Sequence, residues 1–274
     1  MPSHLSAEEQ RVHNAGERII PGVTQDTAEL IRHRSSYFFF KTVIEGDLRR
    51  GQVSDRIRIL DIGCGVGHGC RDLAEIPGAF LLGIDYSPDA IEYACNHYRR
   101  DNVEYEVADL AEFVAGRMPE FEYVVSRGAL EHIPRGIELA HASNWRARLL
   151  FDVPYDEPAG VNEHHVLHNL RESDMKGLKN PEFFYQDIRG VIYRRRPRKP
   201  PPNMILCACR RNGIPQAGRE IAFPVQAWTP PGWEWPPRNW TEAPLLVRLG
   251  HRAWLTVDWY LGKLRALIRR DSAS

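Results

Sequence analysis

Arg58-Ile59-Leu60-Asp61-Ile62-Gly63-Cys64-Gly65-Val66-Gly67-His68-Gly69 decides how the rest of the chain is read. The apolar, β-branched run Ile57 to Ile62 predicts a buried strand. Gly63, Gly65, Gly67 and Gly69 then alternate with other residues, and an amphipathic stretch follows from Cys70 to Glu75. Strand, glycine turn and helix together bring a ligand against bare backbone N–H groups. Asp61, at the end of the strand, puts a carboxylate where a pyrophosphate would be repelled.

A dinucleotide fingerprint requires Gly-x-Gly-x-x-Gly. Counted from Gly63 and Gly65, the third glycine falls on His68. The pattern Asp-x-Gly-x-Gly-x-Gly instead resembles the first motif of the class I S-adenosylmethionine-dependent methyltransferases. Their cofactor carries an amino-acid carboxylate and ammonium, a sulfonium and an adenosine, but no phosphate. The resemblance implies that Asp61, Gly63, Cys64, Gly65 and Gly67 surround this cofactor, Asp61 beside its ammonium. It also implies a Rossmann-like three-layer α/β sandwich, with a mostly parallel seven-stranded sheet and an antiparallel last strand.

Composition sets the outer limits. The chain of 274 residues is 43% hydrophobic and 26% charged, as expected of a soluble globular protein. Its 36 basic and 36 acidic side chains cancel, so no global field recruits nucleic acid and any basic partner site is local. Five cysteines without paired spacing, together with a polar N-terminus, argue for free thiols in a reducing cytoplasm. No apolar run reaches the roughly 18 residues of a spanning helix.

Downstream features follow in the order a class I methyltransferase requires. Phe80 to Ile84 reads as a second strand ending at Asp85, placed to accept the ribose hydroxyls; Ser87, followed by Pro88, is the better helix cap. Tyr86 flanks the adenine in this reading. Val103 to Val107 predicts a third strand, after which Asp109 and the Leu110 N–H meet the adenine edge; the alternative for Asp109 is a helix cap. After a fourth strand, Ser126-Arg127-Gly128-Ala129-Leu130-Glu131-His132-Ile133 resembles the family's post-strand motif, with Ser126 and Gly128 near the methionine part. Arg127 is unusual so close to a sulfonium; it points away or binds an anionic substrate.

Before this core, a helix from Gln25 to Asp47 either covers the cofactor pocket, with Tyr37 as a contact, or simply packs its aromatics on the sheet. Beyond the fifth strand, Asn162-Glu163-His164-His165 and His168 occupy the loop at the cofactor rim, and the Asn-x-x-His spacing resembles that of small-molecule and sugar methyltransferases. His165 or His164 is the candidate general base for an incoming hydroxyl. A structural role competes; a metal site of Glu163, His164 and His168 lacks a second ligand cluster. Cys207 and Cys209 share one face of a late strand and are read as buried.

Three segments result: a helical lid over 1–49, a cofactor-binding core over 50–211, and a Trp- and Pro-rich extension over 212–274. Nine basic and no acidic residues lie between Arg189 and Arg219, which reads as a solvated loop or an anion-attracting patch. In the extension, residues 244–270 predict a basic amphipathic helix for an anionic membrane surface, a second copy or the pocket itself. The function these features imply is O-methylation of a small molecule or sugar precursor. The alternatives are a nucleic-acid or protein methyltransferase using the basic region, or a non-catalytic cofactor-binding partner. Nucleic acid is disfavoured, since Ser126-Arg127-Gly128-Ala129 replaces the Asn-Pro-Pro-Tyr type motif of such enzymes and few aromatics flank the basic loop.

Overall fold

The run Ile57–Ile62 forms strand β1, and the other strands assemble on both sides of it. A computed structural model describes residues 5–228 except 15, 17, 22, 24–26, 117 and 220, together with Arg238–Asn239. Two helices precede the strand, α1 (Ala7–Asn14) and α2 (Thr27–Arg49). Strands and helices then alternate: α3 (His68–Leu73), β2 (Ala79–Asp85), α4 (Pro88–His97), β3 (Val103–Val107), α5 (Leu110–Ala115), β4 (Phe121–Arg127), α6 (Gly136–Ala142) and β5 (Trp145–Pro154). The chain continues with β6 (Glu182–Asp187), β7 (Ile192–Tyr193) and β8 (Pro202–Arg210), and β9 (Ala227–Trp228) pairs with β10 (Arg238–Asn239).

The main sheet runs β3-β2-β1-β4-β5-β8-β6-β7. The first five strands are parallel, and β8 inserts antiparallel between β5 and β6. The expected sheet of seven strands therefore gains one edge strand, the two-residue β7, antiparallel to β6. Gly190 makes that addition: at φ 79° it turns the chain back within a few residues of β6.

Strand alternation divides the core between the two faces. Ile57 and Ile59 enter one apolar cluster, with Tyr123, Val125 and Leu206; Leu60 and Ile62 enter the other, with Val124, Leu149 and Cys207. This is the period of two that a pleated strand imposes. Cys207 and Cys209 share the second face, both buried, as expected from their spacing.

Helix α2 covers the first face. Phe39, Phe40, Val43 and Ile44 are buried there, and the Phe39 ring lies 4.9 Å from that of Phe184 on β6. Phe38 and Leu30 of the same helix are only partly buried. Near its end Asp47 meets Arg148 of β5 in a fully buried pair, Nε to Oδ2 at 2.6 Å and Nη2 to Oδ1 at 2.9 Å. The same guanidinium donates to the Pro215 carbonyl, and Tyr123 and Arg50 donate to the carboxylate. These bonds keep two charges tolerable in a dry interior, although Arg148 Nη1 is buried with no partner among the described residues.

The expected helix over 244–270 lies outside the described residues. Among the described residues no helix is long and apolar enough to cross a membrane.

Candidate active site

At the carboxyl ends of β1, β2, β3 and β4 the loops surround a cavity of about 380 Å³. This is the rim where an open parallel sheet presents its ligand sites. Gly63, Cys64, Gly65, Asp85, Tyr86, Asp109 and Leu110 all line it. Gly65 has φ 54°, and a Cβ built there would meet nothing within 4 Å, so its bare backbone faces open space. A side chain at that position would fill the cradle itself.

Asp85 is fixed by two backbone donors: Gly65 N–H reaches Oδ2 at 3.0 Å and Ser87 N–H reaches Oδ1 at 2.9 Å. Ser87, not Asp85, caps α4, accepting from Ala90 N–H with Pro88 at the first helical position. A third donor was not foreseen. Arg18 ion-pairs with Asp85 Oδ1 at 3.0 Å, both groups being buried, and stands over the Tyr86 ring at 5.3 Å. Asp109 serves two ends. Its Oδ1 caps α5 by accepting from Ala111 and Glu112 N–H, while the residue also borders the cavity. Tyr86 is 66% exposed, so its ring is available to cover a planar ligand.

Three of the expected contacts lie elsewhere. Asp61 is fully buried below the turn, accepting from the Tyr37 hydroxyl at 3.1 Å and the Cys70 thiol at 3.3 Å. Burial raises its carboxyl to about 7. It points to the α2 side because residue 61 follows the parity of Ile57 and Ile59. Ser126 is buried too, its hydroxyl donating to the Ile62 carbonyl at 2.9 Å, so it ties β4 to β1. Gly67 is turned toward Tyr105, whose hydroxyl donates to its carbonyl. None of the three borders the cavity among its lining residues.

Tyr37 does border it, and so do His33 of α2 and His68. The helix thus both packs on the sheet and reaches the cavity with its first half. Burial drives His33 and His68 well below the ordinary imidazole range and holds them neutral. Arg127 lines the same wall, in contact with His33, and its charge is matched by Glu29 at 3.6 Å and Asp152 at 3.8 Å. Asp152 in turn accepts from Gly128 N–H and the Ser36 hydroxyl. Of the two expectations for Arg127, pointing away is not met, since it borders the cavity, and its charge there is compensated.

Of the loop histidines, only His164 borders the cavity, alongside His132. His165 is turned inward, its Nδ1 2.6 Å from Glu157 Oε1 and its Nε2 3.2 Å from Asn162 Nδ2. The Asn162 carbonyl oxygen accepts from His164 N–H, which fixes the amide the other way round. His132, Arg18 and His33 were missed as site residues; only their position in the fold brings them to the rim.

Residues 59–148 match the family model for a methyltransferase domain. Over 92 residues the chain is 35% identical to phosphoethanolamine N-methyltransferase 2 of Caenorhabditis elegans, covering 32% of this chain and 20% of that protein. Over 88 residues it is 34% identical to the ubiquinone biosynthesis O-methyltransferase of Chelativorans sp. (strain BNC1), covering 32% and 34%. The chain therefore spans about a third or less of these curated relatives. Among solved structures, the N-methyltransferase NodS from Bradyrhizobium japonicum, in complex with S-adenosylhomocysteine, superposes with a TM-score of 0.51 at 18% identity, covering 76% of this chain and all of that one. Motif order, sheet topology and family match agree that residues 59–148 are similar to a methyltransferase domain, on the fold the chain shares with that N-methyltransferase.

Proposed function

We propose that the chain transfers the methyl group of S-adenosylmethionine to a hydroxyl of a small molecule. The observation that carries this reading is the convergence of the bare Gly65 backbone, the Asp85 carboxylate and Asp109 on one cavity. Asp85, pre-set by two backbone N–H groups, suits the ribose diol; Arg18 shares or yields one oxygen when the diol binds. Asp109 and Leu110 suit the adenine edge, and exposed Tyr86 its face. The methionine part then falls toward Gly63, His33 and His68, where neutral imidazoles add no charge against the sulfonium.

His164, on the cavity wall, takes the hydroxyl proton. The oxygen bonds to the methyl carbon as the carbon–sulfur bond breaks, and that electron pair stays on sulfur. The products are a methyl ether and S-adenosylhomocysteine. Alignment of the two reactants supplies much of the acceleration. A named O-methyltransferase among the relatives supports the oxygen acceptor, and a named N-methyltransferase marks nitrogen as the competing one.

The test pairs calorimetry with labelled-methyl transfer to a panel of phenols, sugars, sugar nucleotides and amines. Asp85→Ala removes charge-assisted hydrogen bonds of about 1.5–3 kcal/mol each, so S-adenosylmethionine affinity should fall by about 100-fold. His164→Ala should slow turnover and leave that affinity alone. Unchanged affinity in the first variant would remove the ribose assignment; label appearing only on amines would remove the hydroxyl acceptor.

A further inference from the structure

We infer that Glu131, His132 and His165 form a divalent transition-metal site at the edge of the cavity. One ligand atom from each lies within 4.8 Å of the other two. The three come from two segments: the turn Leu130–His132 after β4, and the loop after β5. Those segments are stitched together at this point, because the Glu131 carbonyl accepts from both Val166 N–H (2.8 Å) and Leu167 N–H (3.1 Å). The imidazoles of His132 and His165 meet edge to face, with centroids 4.7 Å apart.

The hydrogen bonds behind the rings set their tautomers. His132 Nδ1 lies 3.0 Å from the His164 carbonyl oxygen, and His165 Nδ1 lies 2.6 Å from a Glu157 oxygen. Carbonyl and carboxylate oxygens only accept, so each neutral ring carries its proton on Nδ1. At His165 the Asn162 amide, oriented by its bond to His164 N–H, donates to Nε2, which therefore holds a lone pair. An imidazole whose Nδ1–H is held by a carbonyl or carboxylate is oriented as metal-ligating histidines are, and on loading the ion takes the place of the Asn162 amide at His165 Nε2. Glu131, 2% exposed, adds the negative charge.

Two imidazoles and one carboxylate select an ion of intermediate softness, such as Zn²⁺, Co²⁺ or Fe²⁺, over Mg²⁺ or Ca²⁺. Around zinc, nitrogen donors about 2.1 Å from the metal sit about 3.4 Å from one another, so small side-chain rotations close the cluster on loading. Three protein ligands leave a position open. Because His132 lines the cavity, that position faces the acceptor side, where an oxygen of the acceptor would complete the coordination. This last role, orienting a hydroxylated acceptor, rests on the methyl-transfer reading; the metal site does not.

The test is a Co²⁺ titration of the full chain after EDTA treatment, followed by visible d–d absorption, with Zn²⁺ as competitor. One Co²⁺ per chain, displaced by Zn²⁺, is expected. His132→Asn and His165→Asn should each weaken binding by at least tenfold, in proteins whose thermal melting shows them folded. No visible band in the wild-type chain would overturn the site. So would affinity unchanged in both variants, or binding lost only in Cys95→Ser, which removes an exposed thiol. Calorimetry with S-adenosylmethionine on the same samples separates the two readings. Metal without S-adenosylmethionine binding would sink methyl transfer alone; S-adenosylmethionine binding without metal would sink this inference alone.

Discussion

At the scale of single residues, the acid of the glycine motif does different work from the one its sequence context suggests. Asp61 lies under the turn, between Tyr37 and Cys70, where burial raises its carboxyl from 3.8 to about 7. A carboxyl whose folded pKa is raised stabilises the fold in its neutral form. Its contribution is complete below pH 3.8 and is lost as pH rises to about 7. Three units correspond to about 4 kcal/mol. Asp72, also raised to about 7 by burial against the pull of Arg71, adds to the same slope. Asp61→Asn should flatten the fall in urea-unfolding free energy between pH 4 and 7 by a few kcal/mol, leaving the part due to Asp72. A slope identical to wild type would show that Asp61 is ionised throughout. The motif acid would then act through its charge after all.

At the scale of elements, α2 is tied to the sheet by one buried ion pair as well as by its aromatic face. Arg148 and Asp47 are both fully buried, and breaking such a pair leaves one charge uncompensated at a cost of about 3–5 kcal/mol. Arg148→Met should lower stability by that amount in chemical denaturation. Adding Asp47→Asn to it should cost less than the sum of the two single changes. Strict additivity would mean that the pair contributes no coupling and that α2 is held by Phe39 and its neighbours alone. The alternating core of β1 and the ends of β2 and β3 were legible in the sequence, because period-two burial is local. The Asp47–Arg148 pair was not, since its members stand 101 residues apart. Gly63, Gly65, Asp85 and Asp109 were readable for the same local reason: each sits at or just after a strand end. Arg18, His33 and His132 were not, because nothing within their own segments says which rim they reach. Between His164 and His165, the sequence offered two neighbours and only the fold says which one borders the cavity.

At the scale of the whole molecule, continuous strand pairing holds the cavity's floor, while the N-terminal segment is attached by weaker contacts. The sheet holds the glycine turn, Asp85 and Asp109 through continuous parallel pairing. Helix α1 rests on α4 through exposed ion pairs of Arg11 with Asp89 and Glu92, and a hydrogen bond between His97 and Glu8. Pairs of this kind contribute about 0–1 kcal/mol and are screened by salt. Val12 and Ile20 add a small apolar contact with Val66 and Tyr93. At the site itself Arg18 joins the segment to the sheet, through its buried bridge to Asp85 and its stacking over the Tyr86 ring. Low local stability in a segment that borders a ligand cavity is what ligand entry requires. Hydrogen exchange should therefore find the amides of residues 7–14 and 18–20 opening far faster than those of β1 and β4, and faster still in high salt. S-adenosylmethionine at 100 times its Kd stabilises whatever binds it by about 2.7 kcal/mol. If the segment closes over that ligand, its exchange should slow by about the corresponding 100-fold. In Arg18→Ala, which removes the buried bridge to Asp85, the ligand's effect on residues 7–14 and 18–20 should shrink while its protection of Gly63–Gly67 persists. Equal protection of both regions in that variant would mean that α1 and its contacts on α4, rather than the arginine, carry the closure.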